Sequence, residues 1–145
     1  MDGRRLGAFF LNTQNLKANR KFEVNSLTLH ESIPGHHLQF SFNKKSPIPP
    51  FLRYGIDKYQ IGQPPVYFSH FEGWGLYAES MGFEMGLYED SYQKLGFYSW
   101  NLLRASRLVV DTGIHAFGWG RQRAIDYLLE NTLMSKHNAE GQIDR

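Results

Sequence analysis

His30-Glu31-Ser32-Ile33-Pro34-Gly35-His36-His37 is the stretch on which the reading of this chain turns, and an apolar run (Leu27, Leu29, Ile33, Leu38, Phe40) flanks it. In the H-E-x-x-H pattern, two imidazoles one helical turn apart hold a zinc ion, and the Glu acts on a water bound to it. Here the position four residues after His30 is Pro34, and the next histidines stand at i+6 and i+7. At about 100° per residue, a regular helix would place His30 and His36 roughly 120° apart around the axis. His30 and His37 would share a face but stand roughly 10 Å apart along it. Neither pair could share one ion on an undistorted helix.

Pro34 changes that geometry. It has no N–H to give the carbonyl of His30, and its ring crowds that carbonyl. Gly35 then admits backbone conformations that other residues resist. Together they are expected to bend a helix over residues 23–43 and bulge it by about two residues, which brings His36 to where the second ligand belongs. On this reading His30 and His36 are metal ligands and Glu31 is the general base. His37 then lies behind the ligands or faces the substrate. The plainer alternative is that Pro-Gly ends a helix and leaves the histidines in a loop, and His37 stays the other candidate for the second ligand.

A second constellation follows at Phe71-Glu72-Gly73-Trp74-Gly75-Leu76-Tyr77-Ala78-Glu79-Ser80. Pro64 and Pro65 precede it and suit a helix start, so a helix is expected over 65–86, ended by Gly86. Glu72 and Glu79 are seven residues apart and share a face. Trp74, Leu76, Tyr77 and Met81 make this helix largely buried, and a buried carboxylate is costly unless it is paired or binds a metal. A third zinc ligand on a second helix, downstream of the histidines, is the gluzincin pattern. Glu72 is the expected ligand, with Glu79 supporting it from behind. The alternative is that these carboxylates pair with Arg or Lys.

These stretches carry a resemblance. Leu29-His30-Glu31-Ser32-Ile33-Pro34-Gly35-His36-His37-Leu38-Gln39, Glu72-Gly73-Trp74-Gly75-Leu76-Tyr77-Ala78-Glu79 and Arg107-Leu108-Val109-Val110-Asp111-Thr112-Gly113-Ile114-His115 all contribute, with Gly7-Ala8-Phe9-Phe10-Leu11-Asn12-Thr13 upstream. The chain resembles the bacterial family called domain of unknown function 885, a group of gluzincin-like zinc metallopeptidases. The resemblance implies a mostly helical peptidase fold with one zinc per chain held by His30, His36 and Glu72, and a peptide substrate. Family members are longer, with a helical region ahead of this segment and more chain after it. A Tyr and a Pro-Gly-Gln segment that follow a similar stretch in the family are absent here, which leaves a transition-state-stabilising Tyr unassigned. The chain is therefore expected to be the metal-binding core segment of a larger enzyme, with the remaining segments or another protomer as its partners.

A third helix is expected from about 91 to 117, capped by Asp90-Ser91 and broken by Gly118 and Gly120. Arg104, Arg107, Asp111 and His115 recur along it at three- and four-residue steps. The plain reading is a structural ion network. The functional one has Asp111 orienting a metal-bound imidazole, and His115 or Arg107 meeting the substrate carboxylate or an oxyanion. Asn12 and Tyr77 complete the candidate substrate contacts. Thr112-Gly113 is a soft spot in this helix and is expected to pack closely against another helix.

Elsewhere, Leu6 to Asn12 is apolar and aromatic, and is expected to form a short strand beside the metal that pairs with an extended substrate. Asn43 to Gly62 is expected to be a loop, 121–134 a last helix, and the polar tail beyond Lys136 loose. The whole is a mainly α fold: a helical zinc-peptidase core with a short N-terminal β-strand, as one domain over residues 1–145.

Composition narrows the classes. A chain of 145 residues, 41% hydrophobic and 21% charged, is an ordinary globular domain. A net charge of +2 is too small to argue for nucleic acid, and the basic cluster of Arg4, Arg5, Lys17, Arg20 and Lys21 reads as a solvated edge. No stretch approaches the roughly 20 apolar residues of a membrane span. Leu6 to Leu11 is too short for a signal-peptide core, so any export signal would lie upstream. With no cysteine, a metal site has only nitrogen and oxygen ligands to draw on. Two other classes are weighed against a peptidase. One is a non-catalytic, metal-stabilised scaffold module. The other is a helical carboxylate-histidine oxidase, which needs Glu-x-x-His pairs, and no Glu here has a His three residues after it.

Overall fold

The computed structural model describes residues 7–11, 13, 20–49 and 68–145. They are helical: a 3-10 turn Lys21–Glu23, then α1 (Val24–Glu31), α2 (His36–Lys45), α3 (Phe68–Glu84), α4 (Ser91–Phe117), α5 (Arg121–Asn131) and α6 (Lys136–Ile143). The chain divides into two compact units, one of residues 1–11 and 25–89, the other of 12–24 and 90–145.

The first unit holds α1, α2 and α3. Among the described residues its buried apolar ones are Leu29, Phe71, Ala78 and Tyr88. α3 closes as its sequence predicts. Gly86 takes a left-handed φ of 70°, which lets Leu87 N–H reach back to Gly82 O at 2.9 Å and satisfies a carbonyl that the helix end orphans. Gly82 has a second task. A Cβ there would lie 2.6 Å from Leu29 Cδ1 and from the Tyr88 ring, so only glycine lets α3 approach that closely.

The second unit is built on α4. Asp90 caps it by accepting a hydrogen bond from Gln93 N–H at 2.8 Å, and Gly118 ends it at φ 65°. The 3-10 turn lies against α4 where Gly96 leaves room, since a Cβ there would meet Phe22 O at 2.0 Å. Ser99 Oγ donates to Glu23 at 2.7 Å beside it. The core is Leu103, Val110, Ala124, Ile125, Leu128 and Ala139, with Trp100, Trp119 and Met134 packed around it. Gly113 is buried under Trp119, 2.5 Å from where a Cβ would be. The partner expected there is another helix; the close contact is instead with Trp119 in the α4–α5 connection. Leu128 is fully buried, so Leu128→Ala is expected to cost about 2–5 kcal/mol, read as a lower urea midpoint.

Four expectations are corrected. Residues 7–11 form no strand, and no strand occurs among the described residues; a lone extended segment has no ladder to join. α5 stops at Asn131, three residues short of the expected end, because Thr132 turns its hydroxyl onto Leu128 O (2.6 Å) and accepts from Met134 N–H (3.2 Å). The tail is not loose. Ser135 caps α6 by accepting from Asn138 N–H at 3.2 Å, Ala139 is buried in the core, and Arg121 grips Asp144 through two hydrogen bonds of 2.6 Å. Of the loop expected over 43–62, residues 43–45 belong to α2, and those from 50 onward lie outside the described residues. No described helix is long and apolar enough to cross a membrane.

Candidate metal centre

The break at Pro34-Gly35 builds the site. The ladder of α1 ends with Ser32 N–H to Thr28 O at 2.8 Å, and that of α2 begins with Gln39 N–H to Gly35 O at 3.0 Å. Between them Pro34 has no N–H to offer His30 O. Gly35 instead folds back over the end of α1, where a Cβ would lie 1.9 Å from His30 O and 2.3 Å from Leu29 O. The expected bulge within one helix is therefore a full break into two helices. Trp74 Nε1–H pins the turn by donating to Pro34 O at 2.8 Å.

The break brings the His30 and His36 rings edge to face, with centroids 4.7 Å apart at 87°. α3 supplies the carboxylate between them. Glu72 Oε2 stands 3.3 Å from His30 Nε2, and its Oε1 stands 3.9 Å from His36 Nε2. One donor atom from each of His30, His36 and Glu72 falls within 4.8 Å of the others. Zinc bonds of about 2.0–2.1 Å set tetrahedral donors roughly 3.4 Å apart. The set is thus pre-formed and open by no more than about 1.4 Å at its widest. Two imidazoles and a carboxylate suit zinc by donor chemistry, and the histidine chosen from the sequence, His36, is the one that joins the group.

The far side of each imidazole is also engaged. His30 Nδ1 lies 2.7 Å from Glu79 Oε1, and Glu79 is fully buried. Ser26 Oγ donates to the other Glu79 oxygen at 2.5 Å, and Tyr88 donates to the Glu79 backbone carbonyl at 2.8 Å. Burial pushes the Tyr88 phenol up from its ordinary range; a hydrogen bond with Ser26 offsets part of this and the Glu79 charge adds to it. Tyr88 therefore stays a neutral donor. His36 Nδ1 meets the buried Gln39 side-chain oxygen at 3.0 Å. With Nδ1–H donating in each ring, the Nε2 lone pairs are left for a metal. Glu79→Gln is accordingly expected to weaken zinc about 10–100-fold. Competition against a chromophoric chelator reads that loss, and unchanged affinity would contradict the role given to Glu79.

Glycine sets the helix spacing here too. A Cβ on Gly75 would lie 2.5 Å from the His30 ring, so α3 can approach the imidazole only without one. Ser26, Gln39 and Gly75 escaped the sequence reading, although each carried a periodic signal: four residues before His30, three after His36 and three after Glu72.

The other candidates are placed as follows. Glu31 is the half-buried last residue of α1, next in chain to His30. His37 is exposed and outside the triad, with Gly7 against its ring, 2.9 Å from where a Cβ would be. Tyr77 is exposed on α3, and Asn12 lies outside the described residues. Arg107, Asp111 and His115 belong to the second unit. There Asp111 stands 3.7 Å from His115 on an exposed face of α4, and Arg107 donates to Gln142.

Compared with known families, residues 1–145 match the one described as "Bacterial protein of unknown function (DUF885)". The chain belongs to this DUF885 family. It is also similar to a solved structure, that of the "putative lipoprotein from Colwellia psychrerythraea", at 37% identity and a TM-score of 0.77. The match covers 93% of this chain and 22% of that one, so the chain spans about a fifth of that protein's length. No curated protein matches.

Proposed function

We propose that this chain is the metal-binding segment of a larger zinc-dependent peptide hydrolase, and that alone it is a metal-stabilised module. The observation that carries the reading is the convergence of His30, His36 and Glu72 from three helices, with Glu79 fixed behind His30. The similarity to a solved structure of which this chain covers only 22% supports the segment half of the proposal. The lipoprotein designation of the Colwellia protein supports an exported full-length protein.

His30 Nε2, His36 Nε2 and a Glu72 oxygen would hold the ion. Zinc bound there supplies Lewis acidity, which acidifies water and polarises a substrate carbonyl. The remaining work falls to the chain. Glu79 and Gln39 hold the imidazoles in the tautomer that presents Nε2. The Glu31 carboxylate, next in chain to His30, takes a proton from the attacking water and returns it to the leaving amine. Glu31→Gln in the full-length protein is therefore expected to keep its zinc while its kcat on peptides falls about 10²–10⁴-fold. Metal analysis and peptidase assay of one preparation check both halves, and retained peptidase activity would remove Glu31 from the mechanism.

A further inference from the structure

The helix that carries His36 has an inverted surface. Its buried positions are the polar Gln39 and Asn43, whereas Phe40 is 46% exposed. A large aromatic is ordinarily the residue a helix hides. Phe40 stands four residues after His36, on the same helix face, and its ring centroid is 6.0 Å from that of His36. On its other side it stacks on Phe71, with centroids 5.4 Å apart and planes 23° from parallel. Phe71 is buried and directly precedes Glu72. The exposed ring is thus braced from α3 by the residue next in chain to Glu72 and placed beside the donor His36.

We infer that Phe40 is an apolar platform that receives the substrate side chain next to the reacting carbonyl, so that the site prefers aromatic or large aliphatic residues there. The inference rests on the metal-site reading of His30, His36 and Glu72. The stack on Phe71 sets the ring in advance, so little side-chain entropy is lost when a ligand covers it. The gain comes from the water-exposed face of Phe40 and from ring-on-ring contact with an aromatic ligand.

The test uses the zinc-loaded chain and two probes that share a metal-binding group, acetohydroxamate and phenylacetohydroxamate. Calorimetric titration should show the phenyl compound binding about tenfold more tightly. That ratio should fall toward one in Phe40→Ala and keep an intermediate value in Phe40→Leu, which preserves apolar volume against Phe71. Reading the ratio within each variant removes any general change in metal content. Binding of acetohydroxamate without a phenyl preference, or a preference that survives Phe40→Ala, would overturn the platform and leave the metal site standing. Failure of both hydroxamates to bind would overturn the metal-site reading and the platform with it.

Discussion

His36→Ala is expected to abolish stoichiometric zinc binding, with affinity down by more than roughly a hundredfold, while His37→Ala stays near the parent. Partners behind a ligand are commonly worth about 10–100-fold in metal affinity, so losing one of three ligands sets a higher floor. His36 Nε2 faces Glu72 Oε1 at 3.9 Å, and its ring meets that of His30. Its neighbour His37 points elsewhere and lies against Gly7. The two substitutions remove the same side chain from adjacent positions, so a difference between them reads geometry rather than composition. Metal content after dialysis, measured by plasma mass spectrometry on both variants, decides it. Zinc lost in His37→Ala and kept in His36→Ala would move the ligand by one residue.

Gly35→Ala is expected to be the most damaging single methyl among the described residues of the first unit, costing more than about 3 kcal/mol and the zinc site together. The added carbon would lie 1.9 Å from one backbone oxygen and 2.3 Å from another. Neither is the end of a flexible side chain, so the turn itself must open. Opening it separates α1 from α2, and with them His30 from His36. Gly73→Ala is the control: nothing lies within 4 Å of its added carbon, and a helical Gly→Ala exchange is worth up to about 1 kcal/mol in the other direction. Thermal unfolding of the two variants with and without zinc reads both effects. Equal melting behaviour would contradict the close approach at Gly35.

Much of this architecture was legible because the chain marks its helix ends. Asp90, Gly86 and Gly118 do what their residue types allow, and α4 runs from Ser91 to Phe117 as expected. The Glu72/Glu79 spacing identified one face of α3, and the structure divides its two carboxylates between the donor group and the far side of His30. What the sequence concealed was tertiary. Pro34-Gly35 announces a distortion, but whether the helix bulges or breaks depends on how closely Gly35 can approach the carbonyls behind it. α6 is poor in apolar periodicity and is held by Ala139 and the Arg121–Asp144 clamp, neither of which local propensity reveals. The aromatic run at Gly7–Leu11 has strand composition, yet strand formation requires a partner that composition does not supply.

The measurement that bears most directly on the metal site is zinc titration of the parent chain, followed by X-ray absorption at the zinc edge. The expected result is one zinc per chain in a nitrogen and oxygen shell at about 2.0–2.1 Å, with the scattering signature of two imidazoles. A chain that retains no zinc after dialysis, or zinc without imidazole in its shell, would contradict the assignment of His30, His36 and Glu72 as its ligands.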